Sequence, residues 1–383
     1  MSWEMVKLGD VCEIIAGQSP ESIFYNKEGE GKPFFQGKAD FNEDYPTVRY
    51  FTSKVTKLAR KNDILLSVRA PVGPTNICNL EACIGRGLAS IRANKNIFYK
   101  YIYFHFKVIE RKLSQTGNGS TFSAITTTDV KNIQIPLPPL STQKRIAEIL
   151  DKADALRKAD RQLLKHYDNL AQSLFIAMFG DPVKNEKGWE VKSADDYLEK
   201  LTVGVVVKPA SYYVDKGVIA LRSLNIKPNE IDKNNFVYFS KEMNDTVLSK
   251  SILKEGDVVF VRTGNTGTAA IIPRELSGCN CIDLIITRAK REIINPKYLV
   301  FFFNSDLGKK IVESKEVGGI QKHFNTGTLR LLKIPVPPIA LQNRFAEQIQ
   351  NIEQQKEKVK AQLLASEHLF QALLKQAFNG GLN

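Results

Sequence analysis

The sequence predicts a mixed α/β chain built from two similar β-rich globules. Each globule is followed by a long helix, and the two helices pair as an antiparallel coiled coil. Three observations carry this prediction. The chain resembles itself at an offset close to half its length. Each copy closes with a segment free of glycine and proline, such as 141–179, in which apolar residues recur every three to four positions. The rest of each copy carries short apolar runs punctuated by turn residues, the pattern of strands.

The repeat is explicit. IPLPPLSTQKRIAE at 135–148 matches IPVPPIALQNRFAE at 334–347, an offset of 199. IFYKYIYFHF at 97–106 matches INPKYLVFFF at 294–303 at an offset of 197. Asp63 and Gly73 match Asp257 and Gly267 at 194, and Val6-Lys7 matches Val191-Lys192 at 185, behind Trp3 and Trp189. The growing offset places loop insertions in the second copy. Repeats this long are paired domains, whereas a solenoid needs short periods.

Within each globule, KNDILLSVRAPVG at 61–73 and EGDVVFVRTGNTG at 255–267 read as a turn, an apolar strand and a loop carrying one arginine. The aromatic stretches at 97–106 and 298–303 have near-helical spacing and are expected in the core. The proline elements predict hinges between globule and helix, because proline bars helix at the residue before it. In the first helix Ile146, Ile149, Ala153, Leu156, Leu163, Tyr167, Leu170 and Leu174 are expected to form the seam, with Asp160 an intruder. In the second, Ile349, Ile352, Val359, Leu363, Phe370, Leu373 and Ala377 do so, with Lys356 and Ser366 as exceptions.

Composition narrows the function. A length of 383 residues suits two or three domains. The net charge of +13 and pI near 9.3 favour a polyanionic partner. The excess is shared evenly, +5 in residues 1–140 and +5 in 181–339. Five cysteines without CxxC spacing argue against a disulfide framework or zinc ribbon and are expected as buried thiols in a reducing cytoplasm. No leader is expected at the N-terminus, and no apolar run approaches the roughly 20 residues of a membrane span. There is no GxxxxGK[ST], no HExxH and no NPPY-like motif. A carboxylate–ExK pattern drawn from Asp181, Glu190 and Lys192 is broken in the first copy. A duplicated chain with no catalytic constellation in either copy reads as a binding scaffold without metal or cofactor of its own. A two-headed coiled-coil adaptor for proteins and a stand-alone nuclease are the alternatives.

Several segments resemble the specificity subunits of type I restriction–modification systems. They are WEMVKLGDVCEIIAG near the start, PFFQGKADF, SVRAPVG, IPLPPLSTQKRIAEILDKAD, FGDPVKNEKGW at 179–189, and the second helix start at 334–347. The resemblance implies target-recognition domains at 1–138 and 181–337, each reading one half of a bipartite sequence in double-stranded DNA. It implies spacer helices at 139–180 and 338–383 that set the half-site gap and dock two modification (methyltransferase) subunits, with restriction subunits completing the complex. Methyl transfer from S-adenosylmethionine and ATP-dependent cleavage would then belong to the partners.

Direct readout needs Arg, Lys, Asn, Gln, Ser or Thr on loops that reach a groove. In the first globule such residues are Lys38, Arg69, Arg86, Asn118, Ser120 and Thr121. In the second they are Arg222, Asn225, Arg262, Thr263, Asn265 and His323. The other role open to each is that of an ordinary turn or surface residue.

Overall fold

The computed structural model describes residues 3–116, 124–313 and 324–382. The chain folds as two compact units, Met1–Gln162 with Lys360–Asn383, and Leu163–Val359. The first long helix, Leu140–Phe179, starts in the first unit and ends in the second; Ile339–Phe378 does the reverse. Each is 40 residues, roughly 60 Å at 1.5 Å per residue.

The first unit is built on an antiparallel four-stranded sheet in the order Cys12–Ala16, Leu88–Ala93, Ile64–Ser67, Thr75–Ile77. Ile64–Ser67 is central and wholly buried, as its unbroken apolar run requires. The turn before it needs a left-handed residue, supplied by Asn62 (φ 73°). Asp63 then fastens that turn: its carboxylate accepts from the Arg60 amide (2.9 Å), the Ser90 hydroxyl (2.7 Å) and the Arg92 guanidinium (2.9 and 3.1 Å). A five-stranded sheet stands beside it, with one parallel pair, Lys32–Phe35 on Ala82–Ile84. The helix Tyr99–Thr116 buries Tyr101, Ile102, Phe104 and Phe106 in the core, so these rings are packing residues.

The second unit repeats the plan. Its main sheet runs Leu198–Val203, Leu284–Ala289, Val258–Val261, Ala269–Ile271. Gly256 (φ 82°) replaces Asn62 in the turn. Asp257 accepts from the Lys254 amide (2.8 Å) and from Arg288 (2.7 and 2.9 Å). Its helix Pro296–Asn304 buries Tyr298, Leu299, Phe302 and Phe303.

The proline segments are clasps rather than the hinges the sequence predicts. Gln134–Pro136 pairs with Met5–Lys7, and Lys333–Pro335 with Val191–Ser193. Tyr101 and Tyr298 donate to the carbonyls of Pro136 (3.0 Å) and Pro335 (2.7 Å). Gln143, wholly buried in the first turn of its helix, accepts from the Phe98 amide and donates to the carbonyls of Asn96 and Pro138. Gln342 makes the same three bonds with Asn295, Ile293 and Pro337. Each helix is thus locked to the globule that precedes it, because buried backbone groups that lose such a partner are costly.

The helix halves within each unit run antiparallel. In the first unit Ile146, Leu150 and Ala153 share a core cluster with Phe370, Leu374 and Ala377. Further along, the Asp160 carboxylate accepts from the Ser366 hydroxyl (2.8 Å) and the Gln362 amide (2.9 Å), and Arg161 pairs with Glu367. In the second unit Ala171, Phe175 and Phe179 cluster with Phe345 and Ile349, and Asp168 pairs with Lys356. The expected seam is therefore corrected in its middle. Leu156, Leu163 and Leu170 are 43%, 39% and 51% exposed, whereas Asp160 and Ser366 are buried together. Asp160 lies in the seam because a carboxylate that finds two donors there need not face water.

All five cysteines are buried free thiols, and burial pushes those of Cys12, Cys78 and Cys279 up to about 12. No helix among the described residues is long and apolar enough to cross a membrane.

His105 gives the first unit an acid weakness. It is buried at the place where the second unit has Phe302, and desolvation pushes its pKa down to about 4, against the lesser raising effect of its bond to the Gln134 carbonyl. The unfolded chain takes up this proton near pH 6.5. The stability that neutral His105 supplies is full above about 6.5 and is lost as pH falls through that value towards 4. His105→Phe is expected to remove about 2–3 kcal/mol of this pH-dependent loss, on a scale of 1.36 kcal/mol per pKa unit. Urea denaturation at pH 7 and pH 4.5 measures it; equal acid sensitivity in both proteins would contradict it.

Candidate nucleic-acid interface

In the first unit, three chain segments meet at one end of the main sheet. The loop after Ile64–Ser67 carries Arg69, the Gly85–Arg86–Gly87 turn carries Arg86, and the turn at Lys38–Asp40 carries Lys38. Their closeness is a product of glycine. The Gly85 amide donates to the Phe35 carbonyl at 2.8 Å, and a Cβ on Gly87 would lie 2.5 Å from the Gln36 carbonyl oxygen. Gly17 presses on the same turn: a Cβ there would lie 2.2 Å from the Gly85 oxygen. Only glycine permits this approach.

Arg69 and Arg86 line one cleft of about 300 Å³ together with Gly17, Val68, Ala124 and Thr126. Both arginines are exposed, and neither side chain has an acidic partner among the described residues. Lys38 is exposed as well, on a turn held by Asp40. Asp40 is buried, accepting from the Gln36 and Gly37 amides and from Arg49. Asn118, Ser120 and Thr121 lie outside the described residues.

The second unit forms the equivalent rim with different side chains. Gly204 replaces Gly17, its would-be Cβ 2.5 Å from the Cys281 oxygen. The Ile282 amide donates to the Leu221 carbonyl at 2.8 Å, as Gly85 does to Phe35. Arg222 follows Leu221; it is half-buried and its guanidinium donates to the Asn235 carbonyl at 2.6 Å. The expectation for Asn225 is corrected. It is wholly buried, its carbonyl accepts from the Arg222 amide and its amide donates to the carbonyls of Asp232 and Asn234. Asn225 does the work of Asp40, and no polar atom is left to read a ligand. Arg262 and Thr263 are half-buried and Asn265 is exposed on the loop that follows Val258–Val261. His323 lies outside the described residues.

Asp283 escaped the residue-by-residue reading. It holds Arg262 through a bond of 2.6 Å from Nη1 to Oδ1. The signal was available: setting LASIRA at 88–93 against LIITRA at 284–289 places Asp283 against Gly87 in a turn one residue shorter, and the strand alignment sets Arg262 against Val68. An acid and a base appear together at ladder positions that hold valine and glycine in the first copy, whose turn is one residue longer and carries Arg86. Among the described residues no group of three or more His, Cys, Asp or Glu is placed to hold a metal ion. The rim's arginine donors suit phosphate oxygens or base edges.

Comparison with known proteins gives one consistent result. The family described as type I restriction modification DNA specificity domain matches residues 1–166 and 247–365. The chain is 47% identical over 163 residues to a putative type I restriction enzyme specificity subunit, MjaX, of Methanocaldococcus jannaschii; that match covers 42% of this chain and 38% of the relative. It is 24% identical to the MjaIX specificity subunit of the same organism, over 99% of this chain and 93% of the relative. The fold is that of a crystal structure of a type I restriction–modification S subunit from M. genitalium, with a TM-score of 0.61, 16% identity, and coverage of 99% of this chain and 96% of that one.

Proposed function

We propose, from the premise that this chain belongs to the type I restriction modification DNA specificity family, that it is the sequence-reading subunit of such a system. Each unit reads one half of a bipartite site in duplex DNA. The two long helices set the gap between the halves and dock two modification subunits, and restriction subunits complete the complex. The chain itself is non-catalytic and binds no cofactor; methyl transfer and ATP-dependent cleavage belong to the partners, and the complex works in the cytoplasm.

The observation that carries this reading is the recurrence of one rim, built by equivalent backbone bonds, in both halves of a chain with a charge of +13. In the first unit the rim offers Arg69 and Arg86 to a polyanion.

Duplex binding measured against salt tests it. The logarithm of affinity is expected to fall linearly with the logarithm of salt concentration, by about 0.9 for each phosphate neutralised. Arg69→Ala and Arg86→Ala should each lower that slope by about 1 if the arginine meets phosphate. An adaptor for proteins would show no steep salt dependence, and cleavage by the purified chain with a divalent metal would indicate a nuclease.

A further inference from the structure

We infer that Arg262 and Asp283 form a buttressed base reader in the second unit, which takes the edge of a guanine. The corresponding cleft of the first unit meets the backbone phosphates instead. The inference deepens the DNA-reading function proposed above and rests on it.

The two rims can be superposed residue by residue from their hydrogen bonds. Ser67 pairs with Leu88 in the first unit and Val261 with Leu284 in the second. One step further, the Ile125 amide donates to the Val68 carbonyl at 3.0 Å, and the Phe324 amide to the Arg262 carbonyl at 3.1 Å. Val68 and Gly87 thus stand where Arg262 and Asp283 stand. Two neighbouring positions of one ladder have changed together, from an apolar residue and a glycine to an ion pair. Asp283 also holds a left-handed backbone conformation (φ 51°), which aspartate adopts more readily than most side chains.

The ion pair leaves most of the guanidinium unspent. Nη1 donates to Asp283 at 2.6 Å and Nε is buried out of a ligand's reach, so the donors left for a base are those of Nη2 and the second hydrogen of Nη1. The arginine is 22% exposed and the aspartate 42%, so the pair reaches the surface. A carboxylate beside an arginine does two things. It fixes the orientation of the fork, which suits the O6 and N7 acceptors of guanine, and it cancels the charge that would draw a phosphate. Arg69 and Arg86 occupy the flanking positions in the first unit without such a carboxylate, the arrangement for backbone contact.

The test uses the chain assembled with its modification subunits and a duplex carrying the methylated sequence mapped for the wild type, competed by duplexes altered at single base pairs. Asp283→Asn should weaken discrimination at one G·C pair of one half-site by roughly 5- to 150-fold, the range of a lost bidentate contact. It should also raise affinity for an unrelated duplex and steepen the salt dependence, since a negative charge has gone. Arg262→Lys should lose the same discrimination, because lysine lacks the fork. The other half-site should be read normally by both variants, which reports that the assembly is folded. The inference is overturned if Asp283→Asn discriminates as the wild type does. It is equally overturned if Arg262→Lys retains selectivity, or if Arg262→Ala weakens all duplexes alike. A wild-type complex that prefers no duplex at all would overturn the underlying DNA-reading function, a separate result.

Discussion

Seven residues inserted into each long helix, after Gln162 and after Val359, are expected to lengthen the unspecified gap of the methylated target by about three base pairs. Both half-site sequences should remain unchanged. Each helix is continuous over 40 residues and passes from one unit to the other at these points. Each is also locked to its preceding globule by Gln143 or Gln342 and by the paired proline segment. Seven residues add about 10.5 Å at 1.5 Å per residue, and one base pair occupies about 3.4 Å of duplex axis. A heptad returns every seam residue to its own face. Three base pairs also turn a half-site by roughly 100° about the duplex, at 10–10.5 base pairs per turn, so affinity should fall even at the best new gap. Insertion into one helix alone is expected to be far worse, since the helices can then no longer keep in register both the contact of Asp160 with Ser366 and Gln362 and the pair of Asp168 with Lys356. An unchanged gap with normal activity in the double insertion would show that the helices are not the ruler.

Asp257→Ala is expected to destabilise the second unit by about 3–5 kcal/mol, the cost of removing one partner from a buried ion pair. Asp257 is fully buried and receives the Lys254 amide and two nitrogens of Arg288. Against a total of about 5–15 kcal/mol, that loss takes a unit at the lower end of the range to marginal stability. Recognition of one half-site should collapse while the other survives. Asp63→Ala should do the reverse in the first unit, where Arg92, Ser90 and the Arg60 amide lose their acceptor. Hydrogen exchange of the two sheets, read beside duplex competition, separates the effects. Equal loss of protection in both sheets from either variant would contradict this independence.

The two-fold plan was legible because it is written in repeats whose spacing survives insertion. Asp63 and Asp257 hold the same turn, Tyr101 and Tyr298 the same proline carbonyl, and Gln143 and Gln342 the same helix start. The helices were legible as helices, and Ile146, Ala153, Ile349, Phe370 and Ala377 are buried as expected, but the middle of the seam was not legible. Apolar counting placed Leu156, Leu163 and Leu170 in a seam that Asp160 and Ser366 share. A polar pair can enter a seam only when its partner on the other helix is known, and pairing across about 200 residues is not visible in either segment alone. The candidate residues were read at the level of loops; Arg69 and Arg86 line one cleft, and Arg262 is bonded to Asp283. Asn225 was misjudged because a buried turn-holder and an exposed reader have the same composition around them. Asp283 was missed because its meaning lies in Arg262, a strand away.

One measurement tests the central claim most directly. The chain, expressed with its modification subunits, is used to methylate a genome, and the modified sites are mapped with and without Asp257→Ala. Two short specified sequences separated by a fixed run of unspecified base pairs are expected, with only one of them losing definition in the variant. A single continuous site, or a site whose two parts fail together, would contradict a chain that reads DNA with two independent heads.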